Sequence, residues 1–394
     1  MVMELELAVE RLAVGGNGIA REPDGRVVFV EGALPGETVR AEIVSRGKDF
    51  WRARTLEVVE AAATRVAPPC PHVRAGCGGC GWQYVATGAQ PTLKAAMVRD
   101  ALARQGRLAD AVVTVGSGVD GFGYRTTLRA GVAPDGRLGL RRQASHEIVR
   151  LSDCPVAHPA LSALLGTLRA PGADGVVMRV SEASGERTLL VVPGAATTRL
   201  EGVPADVKVG ADAFLFEVVD GQRLRVSAGS FFQSSARSAE LLVDAVRRAA
   251  GDTSGMASWA DLYSGIGLFA ATLFGDVAVV AVELSASSVA DAQLNLADRQ
   301  AAMIEGDVET WTPAPVDLVV ADPSRSGLGR GGVGAVTGTG AGTVVLVSCD
   351  AAALARDTAL LAAAGYRHAG SEVLDLFPQT PHVEVVTRFE RIGG

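Results

Sequence analysis

The chain has 394 residues, 48% of them hydrophobic and 21% charged, with a formal net charge of -7. That composition argues against disorder and allows two or three domains with buried cores. The acidic balance counts mildly against a nucleic-acid partner, although local clusters of Lys and Arg decide that question.

The opening Met-Val-Met-Glu-Leu-Glu-Leu has neither a basic start nor an uninterrupted apolar run, so no secretory signal is expected. No stretch reaches the roughly 18 uninterrupted apolar residues of a membrane span, and the expectation is a cytoplasmic protein. Residues 1 to about 60 alternate apolar and polar positions in short runs such as Val27-Val28-Phe29-Val30, broken by Gly15-Gly16, Asp24-Gly25 and Pro35-Gly36. This pattern predicts a small β-barrel. Between Arg40 and Arg54 lies a basic patch of Arg40, Arg46, Lys48, Arg52 and Arg54 with Phe50 and Trp51 among them, which reads equally as a solvated strand face. Pro68-Pro69 ends this module, and a cysteine-rich loop follows. Leu93, Ala96, Met97 and Leu102 then recur at helical spacing, predicting a helix over about 92–104 docked on another domain.

From Tyr124 to Val226 the pattern is strand-like and Gly-rich, a second β-rich domain. After Gly229, strand and helix segments alternate to the C-terminus, so the fold class is α/β with a doubly wound, mostly parallel sheet. The boundaries follow as 1–62, 63–226 and 227–394. The Gly-rich run from Gly327 to Gly342 reads as a long mobile loop.

In this last domain, Trp259-Ala-Asp-Leu-Tyr-Ser-Gly-Ile-Gly-Leu-Phe269 is a strand entering a tight Gly turn and then a helix. Glu283 ends the next strand about 18 residues beyond Gly265, where an acid can bind ribose hydroxyls. The third glycine of a dinucleotide fingerprint is missing, and Asp261 before the turn would repel a pyrophosphate. Both features favour S-adenosylmethionine. Asp307 and Asp322 follow the third and fourth strands at the same sheet edge, and Asp307 reads equally as a helix cap. The fifth strand delivers Cys349 to that edge. A helix start behind it and Arg356 seven residues on would favour a thiolate. Near the end, Asp375-Leu-Phe-Pro-Gln-Thr-Pro-His-Val-Glu384 sets His382 and Glu384 before the final strand.

The stretches Phe231-Phe232-Gln233, Asp261-Leu-Tyr-Ser-Gly-Ile-Gly-Leu268, Asp322-Pro-Ser-Arg325, Ser348-Cys349 with Ala355-Arg-Asp357, and Phe377-Pro-Gln-Thr-Pro-His-Val-Glu384 together resemble the RNA 5-methyluridine methyltransferases. Gly15-Gly-Asn-Gly-Ile-Ala-Arg21 with Leu34-Pro-Gly-Glu37 is similar to the TRAM domain, an RNA-binding β-barrel. The resemblance covers nearly the whole chain. It implies a Rossmann-like methyltransferase domain behind an OB-like barrel and a β-rich central domain. It also implies Cys349 as nucleophile toward uracil C6, Glu384 as general base, and Gln233, Tyr263, Glu283, Asp307 and Asp322 around S-adenosyl-L-methionine. The implied partner is structured RNA acted on by a monomer, the target being 23S rRNA or alternatively tRNA. Asp350, Ala351 and Ser235 replace an Asn, a Pro and an Asn usual in the family, and an ionised Asp350 would disfavour the thiolate.

Cys70, Cys77 and Cys80 are separated by six and two residues, and Cys154 is the remaining candidate ligand. Spacing alone admits zinc or an iron-sulfur cluster. The resemblance implies a [4Fe-4S] cluster. Two other classes compete with the methyltransferase: a radical S-adenosylmethionine enzyme, whose usual cysteine triad is narrower, and a non-catalytic iron-sulfur RNA-binding protein.

Overall fold

A computed structural model describes residues 3–192 and 199–393. The first five strands, β1 (Glu4–Leu12), β2 (Gly18–Arg21), β3 (Val27–Glu31), β4 (Thr38–Arg46) and β5 (Phe50–Glu60), close into a barrel in the order β1-β2-β3-β5-β4. Alternation builds it: Leu7 and Val9 of β1 point inward with Val28, Val30, Val39 and Ala53 while Glu4, Glu6 and Glu10 stay outside. Closure removes the unpaired strand edges that would otherwise invite aggregation. Glu37, fully buried, accepts from the Leu34 amide and from Arg65, locking the barrel to the chain that leaves it. The basic patch is partly neutralised internally, because Arg40 pairs with Glu4 and Glu57 and Arg54 pairs with Glu42. Arg26 and Arg46 both lie over the ring of a largely buried Trp51, at 4.6 and 5.2 Å from its centroid.

The cysteine loop holds the single-turn α1 (Pro71–Arg74), after which α2 (Gln90–Arg104) runs as a full helix. Its buried face consists of Gln90, Lys94, Ala95, Met97, Val98, Ala101 and Leu102. Ala96, expected inside, is exposed, so the helix is rotated to put two polar residues in the core. β6 (Val113–Gly118) then leaves for the C-terminal sheet. The central sheet comprises β7 (Thr127–Val132), β8 (Leu138–Arg141), β9 (Ile148–Arg150), β10 (Gly175–Val180), β11 (Arg187–Val192) and β12 (Val207–Val209), ordered β12-β11-β10-β7-β8-β9. Strand-like sequence hid α3 (Pro159–Thr167), whose Leu161, Leu164 and Leu165 fill the core of this sheet.

A hairpin of β13 (Phe214–Val219) and β14 (Gln222–Ser227) precedes α4 (Ala236–Ala250). The C-terminal domain continues with β15 (Ser258–Leu262), α5 (Leu268–Thr272), β16 (Ala278–Glu283), α6 (Ala286–Asn295), β17 (Ala301–Glu305), β18 (Leu318–Ala321), α7 (Gly329–Gly338), β19 (Thr343–Ser348), α8 (Ala351–Ala363), β20 (Tyr366–Asp375) and β21 (Glu384–Arg391). The sheet order is β17-β16-β15-β18-β19-β21-β20-β6. Strands β17 through β19 are mutually parallel, and β21 enters antiparallel beside β19. Strand order reverses between β15 and β18, the point at which open α/β sheets bind ligands. Apolar cores cover both sheet faces, and the hairpin residues Leu215, Leu224 and Val226 belong to one of them.

The run from Gly327 to Gly342, expected to be a mobile loop, contains α7. Two causes outweigh the poor helix propensity of glycine. Asp357 accepts from the Leu328 and Gly329 amides at the start of the helix, and Val333 and Val336 are buried. Glycine at position 332 leaves room for Tyr263, whose hydroxyl would lie 2.7 Å from a Cβ there. Among the described residues no helix is long and apolar enough to cross a membrane.

Candidate active site and cysteine pocket

The ends of β15, β16 and β18 converge at the switch point. β15 runs into Tyr263-Ser-Gly-Ile-Gly267, where Tyr263, Gly265 and Gly267 all have positive φ. Glu283, at the end of β16, accepts from the Gly265 amide at 2.9 Å and the Ser285 amide at 2.7 Å, so the acid fixes the turn that would cradle a ligand. Asp261 is buried beneath the turn; one oxygen accepts from Ala270 N at 3.0 Å and the other has no partner. Burial, reinforced by Asp322 and Glu283, pushes its carboxyl up to about 8. Asp322, half-buried at the end of β18, is pushed up to about 7 by partial loss of hydration. Asp307 accepts from Glu309 N at 2.9 Å, so it caps its own turn while standing just beyond β17.

Gln233 is buried on the segment leading into α4. That segment is anchored from both sides: Ser234 Oγ donates to Leu376 O, and Asp291 accepts from Ser227 N, Ser227 Oγ and Ser230 Oγ. Ser235, in place of the usual Asn, keeps a capping role by accepting from Ser238 N at 3.0 Å. Asp291 carried no sequence signal, because a single acid in a helix reads as a solvated face.

The reaction centre is set by register. Ser348, the last residue of β19, pairs with Val385 of β21, and the same antiparallel register sets Cys349 across from Glu384. Burial raises the Cys349 thiol to about 12, with Glu384 and Asp322 adding to the rise and Arg325 opposing it. Glu384 is fully buried and its carboxyl is raised by lost hydration and by Asp322, against the pull of Arg325 and Lys94. The cation that acts on Cys349 is therefore Arg325, while Glu384 feels both Arg325 and Lys94. Arg356, expected to favour the thiolate, instead binds Asp357 and Ser326 O. Asp350 points into α8, accepting from Ala352 N and Ala353 N, so the pressure on the thiol comes from Glu384 and Asp322. His382 is pushed down to about 4 by burial and then by the cations Arg325, Lys94 and Arg125, and is neutral at pH 7.

Arg325 and Lys94 were not assigned roles from sequence. Arg325 stood in the Asp322-Pro-Ser-Arg325 motif and could have been found there. Lys94 had no signal except its place three residues before Met97 on a helix with a buried face.

Cys70, Cys77, Cys80 and Cys154 line one pocket together with His72 and Asp153, and none is in a disulfide. Their loop is pinned by Cys70 N donating to Gln83 Oε1 at 3.1 Å, and by His72 Nε2 against Asp153 Oδ1 at 2.7 Å. Gly78 permits close passage over β8, since a Cβ there would meet the Gln143 backbone at 2.9 Å. Burial raises the thiols of Cys77, Cys80 and Cys154, and the cysteines raise one another. Among the described residues, no three His, Cys, Asp or Glu side chains are grouped to hold a single metal ion.

Residues 2–50 match the TRAM domain family. An uncharacterized RNA methyltransferase of Streptomyces avermitilis is 35% identical over 98% of this chain and 98% of its own length. The 23S rRNA (uracil(1939)-C(5))-methyltransferase RlmD of Halomonas elongata is 36% identical over 98% of this chain and 89% of its own. The crystal structure of Pyrococcus abyssi tRNA (uracil-54, C5)-methyltransferase in complex with S-adenosyl-L-homocysteine shares the fold, with a TM-score of 0.73 and 22% identity across 98% of this chain and 99% of that one. Sequence motifs and full-length relatives agree, and the chain belongs to the family of RNA 5-methyluridine methyltransferases.

Proposed function

We propose that the protein methylates C5 of a uracil in RNA, with Cys349 as nucleophile and Glu384 as base. The observation that carries this reading is the register that sets Cys349 against Glu384, at the sheet edge where Glu283 fixes the Gly turn. C5 of uracil is a weak nucleophile, so a thiolate must first add to C6 and make C5 enolate-like. S-adenosyl-L-methionine supplies the methyl group. The turn Tyr263–Gly267, Glu283, Asp322 and Gln233 would hold it, with Asp307 beside them; the orphaned buried oxygen of Asp261 under that turn fits a polar ligand there. Arg325 lowers the energy of the anionic forms at Cys349 and Glu384. Glu384 then takes the C5 proton, the electron pair restores the C5–C6 double bond, and Cys349 leaves as thiolate.

The likeness to RlmD favours 23S rRNA over tRNA as the target, bound by a monomer and with the target base turned out of its stack. The barrel of residues 1–62 would contact RNA through Arg46, Lys48 and Arg52, residues 63–226 would carry the cysteine pocket and the central sheet, and residues 227–394 the chemistry. For the pocket we infer a [4Fe-4S] cluster in preference to zinc. Four thiols, none in a disulfide, line one pocket and would each bind as thiolate, a donor set that suits an iron-sulfur cluster. Incubation with methyl-labelled S-adenosylmethionine and 23S rRNA or tRNA transcripts, followed by nucleoside analysis, tests the reading. Labelled 5-methyluridine is the expected product, and label on another base or on ribose would refute it.

A further inference from the structure

We propose that Gln90 and Lys94 of α2 are positioning residues for the catalytic base, clamping the loop 376–383 that delivers Glu384. This inference rests on the reading of Glu384 as the base.

The loop has little to hold it from within. Thr380 Oγ1 donates to Phe377 O at 2.7 Å, and Gln379, a non-glycine, takes a φ of +67°. A left-handed backbone at such a residue persists where surroundings enforce it. Those surroundings come from the N-terminal half of the chain. Gln90 Oε1 accepts from Gln379 N at 2.6 Å, while its Nε2 donates to Val85 O at 3.0 Å and to Gln379 Oε1 at 3.3 Å. Gln379 O accepts from Trp82 N at 2.9 Å, and Gln379 Nε2 donates to Thr87 Oγ1 at 3.0 Å. One helical turn further along α2, Lys94 Nζ donates to Phe377 O at 2.9 Å and pairs with Asp375 Oδ1 at 2.7 Å. Pro378 O receives the Tyr124 hydroxyl at 3.3 Å. Three successive carbonyls, of Phe377, Pro378 and Gln379, are thus held by Lys94, Tyr124 and Trp82, residues about 250–300 positions earlier in the chain.

Gln90 and Lys94 are both fully buried. Apolar residues at these two positions would have sufficed for packing alone, and burying an amide and an ammonium is costly unless each is matched. Here the matching partners are the backbone and flank of the base loop. Lys94 also supports the carboxylate form of Glu384 electrostatically. The clamp is continuous with the cysteine pocket: Trp82 follows two residues after Cys80, and Gln83 holds the Cys70 amide.

The step most sensitive to this clamp is the last one. Cys349 addition and methyl transfer do not need Glu384, whereas removal of the C5 proton does. A displaced loop leaves the base methylated at C5 with its proton in place and the C6–sulfur bond intact. The test compares wild type, Gln90→Ala, the double variant Lys94→Met/Asp375→Asn, Glu384→Gln and Cys349→Ala in single turnovers with RNA and methyl-labelled S-adenosylmethionine. Product and denaturation-resistant labelled RNA–protein adduct are followed on gels, alongside cofactor affinity and thermal melting. Gln90→Ala is expected to keep cofactor affinity and RNA KM within about twofold and to lose roughly 10–100-fold in kcat. It should accumulate labelled adduct as Glu384→Gln does. The double variant removes both buried charges together and should behave alike. If Glu384→Gln traps adduct but both clamp variants turn over normally, or fail without adduct, the clamp is refuted and the base assignment stands. If Glu384→Gln turns over freely, the base assignment fails and the clamp with it.

Discussion

Cys349 and Glu384 face each other because β21 runs antiparallel beside β19, with Ser348 paired to Val385. A parallel strand in that place would have brought its opposite end to the ligand edge and left Glu384 at the far side of the sheet. Nucleophile and base therefore stand at the adjoining ends of neighbouring strands, Cys349 just past β19 and Glu384 where the loop 376–383 enters β21, which suits two groups that must reach adjacent carbons of one ring.

Both groups must be ionised to act, and both are held above their ordinary ranges, chiefly by burial. A raised acid has less of its anion at neutral pH, and the deficit shrinks as pH rises. The single-turnover rate at saturating cofactor is therefore expected to climb between pH 6 and 9, by up to about tenfold per unit where one ionisation limits. Stopped reactions across that range check this; a flat profile or a maximum below pH 7 would contradict it.

Asp350 serves α8 as its N-cap. Asp350→Ala is expected to cost about 0.5–2 kcal/mol of stability, and Asp350→Asn, which keeps a capping oxygen, much less. Because the carboxylates pressing on the thiol are Glu384 and Asp322, Asp350→Asn should change alkylation of Cys349 by less than about threefold. Urea unfolding and iodoacetamide kinetics measure the two; a tenfold rise in alkylation would restore Asp350 as a control on the sulfur.

The barrel, the α/β alternation and the edge carrying Glu283, Asp322 and Cys349 were legible because period and turn residues encode them directly. Other features were not, among them α7, the rotation of α2 and the cation beside Cys349. Propensity hid α7, whose cap comes from Asp357 some 28 residues on. Periodicity rotated α2 wrongly, since Gln90 and Lys94 are polar residues on its buried face and their partners lie about 280–290 positions away. Arg356 looked like the cation for Cys349 by proximity in sequence, whereas Arg325, from another strand end, takes that place.

Glu217 of β13 is buried near Arg179, and neither of its oxygens has a hydrogen-bond partner. Burial, with Glu182 adding, lifts its carboxyl from 4.5 to about 7. Between those values the folded chain holds a proton that the unfolded chain has released, so stability present below about pH 4.5 is lost as pH rises through about 7. Glu217→Gln should remove that decline and stabilise the protein at pH 8 relative to wild type by on the order of 1–3 kcal/mol. Denaturant melts at pH 5 and pH 8 read the difference; equal pH dependence in both proteins would contradict it.

The cysteine pocket makes a separate prediction. Protein prepared without oxygen should contain about four iron and four sulfide per chain. Cys154→Ser should lower both, together with the melting temperature, because Cys154 joins the loop to the central sheet. Iron and sulfide analysis decides it, and one zinc per chain with no sulfide would replace the cluster by a mononuclear site.

The most direct test of the central claim is to incubate wild type and Cys349→Ala with uracil-containing RNA and methyl-labelled S-adenosylmethionine and to quantify labelled 5-methyluridine by mass spectrometry. Wild type should form it, and Cys349→Ala should fall by at least about a thousandfold while still binding cofactor. Labelled 5-methyluridine formed by Cys349→Ala at the wild-type rate would contradict the assignment.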